Sequence, residues 1–148
     1  MIRIHKAEPV DAPAVSALLS ELGYPSSPRI VAKRIASLLA AERSTVILAT
    51  EGMDVLGVLA LRWEPMLHRL RPAARITTLV VARAARRRGA GRLLVERALV
   101  LAHRARCEGV EVTTGVQRRD AQEFYAALGF ARSSVRYYRK LRETLSSR

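Results

Sequence analysis

Between residues 74 and 116 the chain runs strand, glycine turn, helix, strand, and no other stretch restricts the fold as much. Residues 74–82, Ala-Arg-Ile-Thr-Thr-Leu-Val-Val-Ala, end in a continuous apolar run, the pattern of a central strand buried on both faces. A basic turn containing two glycines follows. The spacing then predicts a helix over 89–106, with Leu94, Ala98, Leu101 and Ala105 on one face and Val95, Leu99 and Ala102 beside them. Residues 110–116 return to a strand pattern. Strands joined through a helix in this way pair in parallel.

The preceding segments set the rest of the sheet. Residues 2–7 alternate apolar and basic side chains and predict a short first strand. Asp11 stands at a helix cap, with Val10 and Val15 at the positions of a hydrophobic staple. Val15, Leu18, Leu19 and Leu22 form an apolar face, and Gly23 stops the helix. Ser27-Pro28 opens a second helix, proline taking the first helical position, and Val31, Ile35, Leu38 and Leu39 carry its apolar face. Apolar runs at 45–50 and 55–63, separated by Glu51-Gly52-Met53-Asp54, predict a hairpin. Residues 65–72 form an irregular loop around His68. A short helix is expected over 120–128, closed by Gly129, then a strand over 135–141 and a basic tail. The order β-α-α-β-β-β-α-β-α-β combines a hairpin with a crossover. It predicts an α/β fold: a mixed sheet of about six strands with helices on both faces. No linker or repeat interrupts it, so residues 1–148 read as a single domain large enough to bury its own core.

Composition removes several classes. No stretch reaches the roughly 18 apolar residues of a membrane span, and the opening residues lack the apolar core of a signal peptide. One cysteine, Cys107, excludes an internal disulfide and a cysteine-based zinc cluster, so no metal site is expected. A cytoplasmic location is the expectation. The net charge of +13 points to an anionic partner, and of the basic residues only Lys6, Lys33 and Lys140 are lysines. A nucleic-acid-binding or regulatory module fits that charge. It is not favoured: aromatic residues make up only 5% of the chain, which leaves no stacking platform, and no helix-turn-helix or zinc signature is present.

The charge concentrates at Arg86-Arg87-Arg88-Gly89-Ala90-Gly91-Arg92, between the apolar strand and the long helix. The first turn of a helix has N–H groups without partners and the positive end of the helix dipole. Glycines there let a ligand approach the backbone closely. A phosphate or pyrophosphate suits such a place, and arginines add forked donors. A nucleoside-triphosphate loop would need Gly-Lys-Ser/Thr where this chain has Gly91-Arg92-Leu93. A dinucleotide fold would want a third glycine at Leu94. What remains is Arg-x-x-Gly-x-Gly.

With that turn the chain resembles the GNAT superfamily of acyl-CoA-dependent N-acyltransferases. A second motif of that superfamily appears in Phe124-Tyr125-Ala126-Ala127-Leu128-Gly129-Phe130. The spacing of the two motifs and the order of elements also match, over essentially the whole chain. The resemblance implies acetyl-CoA as acetyl donor, CoA as product and an amine as acceptor; a small-molecule amine is favoured here over a peptide amine, the N-terminus or a lysine of a protein. It implies that backbone groups of Leu79, Val80 and Val81 pair with the pantetheine arm, and that a main-chain N–H near Val81 polarises the thioester carbonyl. Arg86, Arg87, Arg88, Gly89, Ala90, Gly91 and Arg92 would form the pyrophosphate site. Phe124 and Tyr125 would also contact the cofactor, and Tyr125 would protonate the departing thiolate. Many relatives have asparagine seven positions before that tyrosine; here Arg118 stands there, with Asp120 and Gln117 as polar substitutes. Glu111, Glu64 and His68 are the candidate bases for the incoming amine, and Tyr24, Glu64 and His68 the candidate acceptor contacts. Homodimers are common in the superfamily.

Overall fold

The computed structural model describes residues 1–142; the remainder of the basic tail, 143–148, lies outside the described residues. By their internal contacts the residues form two units, Met1–Thr113 and Thr114–Arg148.

The first unit holds a five-stranded sheet: β1 (Arg3–Lys6), β2 (Ser44–Glu51), β3 (Asp54–Glu64), β4 (Ala73–Val81) and β5 (Gly109–Val112). The strands lie in sequence order, antiparallel from β1 to β4, with β5 parallel to β4. The mixed α/β sheet agrees with expectation. Helices α1 (Ala12–Leu22) and α2 (Pro28–Ala40) precede β2, and α3 (Ala90–Arg104) makes the crossover from β4 to β5.

Local sequence explains most of the helix ends. Gly23 takes φ 98°, a left-handed conformation, and ends α1. The Ser27 hydroxyl accepts from the Ile30 N–H at 3.3 Å, and Pro28 opens α2. The start of α1 differs from expectation. A single 3-10 turn, Pro9–Asp11, comes first, and the Asp11 carboxylate accepts from the Glu8 N–H rather than capping α1. Val10 is 78% exposed, so it does not staple the helix.

Alternation along the strands divides the core in two. Val46, Leu48, Val58 and Val80 pack with Val15, Leu18, Val31 and Ile35 of α1 and α2. The intervening residues, among them Ile47, Leu59, Leu61 and Ile76, are buried on the opposite face. There α3 contacts β2, β3 and β4, burying Leu94, Val95, Ala98 and Ala102.

The ladder between β3 and β4 is interrupted once. Ala60 pairs with Thr78 and Leu61 with Ile76, leaving Thr77 as an extra residue in β4. Such a bulge bends its strand and raises the local twist. β4 pairs with β5 only from Ala73 to Ile76, and the pairing stops just before Thr77. The strand expected over 110–116 accordingly ends at Val112.

The second unit contains α4 (Arg119–Ala127) and, among the described residues, no strand. The strand expected over 135–141 is therefore a correction, and the sheet has five strands rather than six. Val135, Tyr137, Tyr138 and Leu141 are exposed. Strand-forming residue types do not make a strand without a partner ladder for their backbone groups, and none is present among the described residues.

Candidate active site

The two halves of β4 are built differently. Ala73–Ile76 has a strand on either side; beyond the unpaired Thr77, residues 78–81 pair with β3 alone among the described residues. One row of N–H and C=O groups at 78–81 therefore faces no strand, a ready template for an extended ligand. Leu79, Val80 and Val81, the expected pantetheine contacts, all lie in this half.

The strand leads through a short 3-10 turn, Arg83–Ala85, into the turn at 86–89. Arg87 takes φ 64° and Gly89 φ 88°. Left-handed residues of this kind bring successive N–H groups round to one side, the geometry of an anion nest. Gly89 is the residue before α3, no side chain caps the helix, and its first turn holds no acidic residue. The Leu93 N–H is bound to the Gly89 carbonyl at 3.1 Å, so the earlier amides of Ala90, Gly91 and Arg92 are the orphan donors of this helix. The arginine side chains are less uniform. Arg88 forms an ion pair with Glu51, whose carboxylate also meets the N-terminal ammonium at 3.1 Å. Arg92 pairs with Glu96 one turn along at 2.9 Å. The side-chain charge of Arg88 and Arg92 is thus met in part by nearby carboxylates, while the orphan amides at the start of α3 are not.

Two supports of this region escaped sequence reading. Gly57 of β3 lies opposite Val81, and a Cβ there would stand 2.9 Å from the Val80 carbonyl oxygen and 3.1 Å from Leu94 Cδ1. The residue lets β3, β4 and α3 close together behind the open edge; a glycine inside a strand is the signal that points to it. Glu21, in the last turn of α1, accepts from the Arg83 N–H at 3.1 Å and ties α1 to the approach of the turn.

In the second unit, Tyr125 is mostly buried, with Phe124 and Phe130 edge-on to its ring at centroid distances of 5.1 and 5.5 Å. Burial raises its pKa above the ordinary tyrosine value, against a smaller opposing pull from the Arg118 charge. The phenol therefore keeps its proton across the neutral range. Arg118 precedes α4 with its guanidinium 3.5 Å from Asp120. The first-turn N–H of Ala121 and the Arg118 charge hold Asp120 below the usual carboxylate range. Gln117 is exposed, and Gln122 donates to the carbonyls of Gly115 and Val116, closing the loop before α4.

The expected acceptor-side residues are dispersed. Tyr24 is 69% exposed after α1, and His68 lies in the exposed loop between β3 and β4. Glu64 and Glu111, by contrast, join one feature. The registers place Ser44, Arg62, Arg75 and Glu111 in a single row across β2, β3, β4 and β5. Arg62 lies 3.9 Å from Glu64 and Arg75 lies 3.7 Å from Glu111, with Thr113 also accepting from Arg75 at 3.3 Å. The row is on the α1–α2 face, one step past Val46, Ala60 and Thr78. Beside it a cavity of about 510 Å³ opens between the end of α2 and the sheet, lined in part by Arg43, Arg62, Trp63, Glu64 and Thr77.

The profile of the acetyltransferase (GNAT) family matches residues 13–130, most of the chain. Among solved structures, an Agrobacterium tumefaciens protein described as an acetyltransferase is 28% identical, with a TM-score of 0.86 over 94% of this chain and 99% of its own. A transcriptional regulator from Bacillus halodurans superposes at 0.87 and 24% identity, covering 95% of this chain and all of the other. An aminoglycoside 6'-N-acetyltransferase from Acinetobacter haemolyticus gives 0.79 and 19%, covering 95% and 99%. At those lower identities the likeness is one of fold. A search of curated proteins returns no significant match.

Proposed function

Since the chain belongs to the acetyltransferase (GNAT) family, we propose that it transfers an acetyl group from acetyl-CoA to a primary amine by direct attack, both units serving one N-acetyltransferase domain. The observation that carries this reading is the continuity of the open half of β4 with the uncapped, arginine-rich start of α3. An extended arm ending in a pyrophosphate needs a strand edge followed by converging amides, in that order. Residues 78–81 and then 87–92 offer it.

Acetyl-CoA supplies the activated acyl carbon. The backbone of Leu79, Val80 and Val81 holds the arm, and a main-chain N–H near Val81 meets the carbonyl oxygen where negative charge develops. The amides of residues 87–92 hold the pyrophosphate, with Arg86 and Arg87 adding charge. Tyr125, protonated at neutral pH, supplies the proton that the leaving thiolate takes up. The incoming amine must shed a proton, and Glu111, Glu64 or a water beside them accepts it. A polycation of the aminoglycoside kind suits this chain poorly, because Arg43 and Arg62 line the cavity beside the sheet. A small amine is the preferred acceptor over a peptide.

Thermal unfolding with acetyl-CoA, ADP and duplex DNA tests the reading. At about a hundredfold excess over its dissociation constant a native-state ligand adds ~2.7 kcal/mol. For a chain of this size that raises the midpoint by roughly 5–10 °C. The expected result is a shift with acetyl-CoA that ADP and DNA do not reproduce. A salt-sensitive shift with DNA alone would instead make the arginine turn a nucleic-acid site and end the enzyme assignment.

A further inference from the structure

The row Ser44–Arg62–Arg75–Glu111 is poorly explained as structure. Arg62 and Arg75 are direct cross-strand neighbours, and like charges so placed destabilise a sheet. The carboxylates that offset them stand at 3.9 and 3.7 Å, long for charge-assisted hydrogen bonds. Neither guanidinium is therefore saturated: each keeps N–H donors for another anion. A third cation, Arg43, lines the same cavity as Arg62. Counting Glu64 and Glu111, the group holds three positive and two negative side chains, an excess of one cation.

Position adds to charge. Arg75 is two residues before Thr77, where β4 loses its β5 partner and the open edge begins. Across the bulge Arg75 stands opposite Arg62 and Leu79 opposite Leu59, three steps on β3, so at roughly 3.3 Å per residue Arg75 sits about 10 Å along the strand from Leu79. An arginine side chain and a short molecule together span such a distance. The cavity at this place is large enough for a small metabolite and is lined by Thr77 as well as Arg43 and Arg62; Arg75, the cross-strand neighbour of Arg62, lies at the cavity's border.

On these grounds we infer that the acceptor is an amine that also carries an anionic group, a carboxylate or a phosphate, held by Arg62 and Arg75. The inference rests on the acetyltransferase reading and names its substrate class. Glu64 and Glu111, in and beside the same row, suit the ammonium end of such a zwitterion. A substrate with amines alone would meet the cationic excess with nothing to offset it.

Titration calorimetry reads binding without any turnover; Trp63, the only tryptophan of the chain, stands between Arg62 and Glu64 and so turns its side chain to the other face of β3. Two matched pairs of probes at constant ionic strength isolate the anion: lysine against cadaverine, and phosphoethanolamine against ethanolamine. The expected result is a saturable heat of binding in which at least one anionic probe binds about tenfold or more tightly than its partner. The pair that responds distinguishes carboxylate from phosphate. Arg62→Gln and Arg75→Gln should each reduce that preference several-fold while leaving the acetyl-CoA-induced rise in unfolding midpoint intact. Equal binding within both pairs, no saturable change with either anionic probe, or a preference that survives both substitutions overturns the inference. Acetyl-CoA stabilisation distinguishes the two levels of failure. If it is present without the preference, only the substrate class is wrong; if it is absent, the enzyme reading falls and the ligand's role as acceptor falls with it.

Discussion

The arginines at 86–88 and those at 62 and 75 are the same residue type placed in two different ways. At the turn, three consecutive arginines surround backbone amides that already converge, through left-handed residues at Arg87 and Gly89 and the uncapped start of α3. The main chain makes the site and the side chains reinforce it. On the sheet face, Arg62 and Arg75 come from separate strands and meet only through register, and the backbone there is fully engaged in its ladders. Side chains alone make that site. A site made by the backbone keeps its function under many side-chain changes but is sensitive to anything that moves the chain. A site made by side chains has the reverse sensitivities, which fits a family that shares one donor and varies its acceptors.

The contrast can be tested at three levels. The largest effect lies where holding gives way to chemistry. Tyr125→Phe removes the proton for the thiolate and should lower kcat by about 10²–10⁴-fold with little change in acetyl-CoA affinity. Because burial raises the Tyr125 pKa, the acid form persists beyond the ordinary value of about 10. A pH profile of kcat should therefore begin its tyrosine-dependent fall only above that pH, and the Phe variant should lack this limb. A Phe variant with full kcat would leave the tyrosine as packing between Phe124 and Phe130.

A smaller effect is expected from the backbone behind the donor site. Gly57→Ala places a Cβ against the Val80 carbonyl and Leu94, and the strands must shift to admit it. Overpacking of this kind costs about 1–3 kcal/mol. Chemical denaturation should show that loss, and acetyl-CoA affinity should fall with it although no ligand contact has changed. Unchanged affinity would mean that the open edge of β4 tolerates displacement. The smallest effect belongs to the row. Arg62→Gln breaks only a long, solvent-exposed pair and relieves a like-charge contact, so stability should change by less than about 0.5 kcal/mol in either direction. A large loss there would turn the row into a structural feature and weaken the contrast.

The same division governs what could be read from the sequence. The turn is contiguous, so its glycines, charge and flanking apolar strand are visible in order. Ser27-Pro28 and Gly23 were equally legible, because a helix end is specified by the residues beside it. Glu64 and Glu111 stood out singly as carboxylates, but their arginine partners did not. Arg75 and Glu111 are 36 positions apart, and only the parallel register of β4 and β5 brings them together. The staple at Val10 failed for a related reason: the 3-10 turn before α1 leaves that side chain in solvent. Residues 135–141 show the limit of composition, since a strand is defined by its neighbour and not by its own side chains.

Thr77 carries a consequence of another kind. Before it, the odd-numbered residue Arg75 points to the α1–α2 face; after it, the even-numbered Thr78 and Val80 do. The extra residue thus inverts the parity of the strand. Deleting Thr77 would join Ile76 to Thr78 and leave a continuous ladder with β3, Ile76 still opposite Leu61 and Arg75 still opposite Arg62, so each side chain would keep its face. What the deletion would remove is the bend at the start of the open edge. The charged row and the irregularity beside it are thus separable: substitution alters the first and leaves the second, and loss of one residue does the reverse.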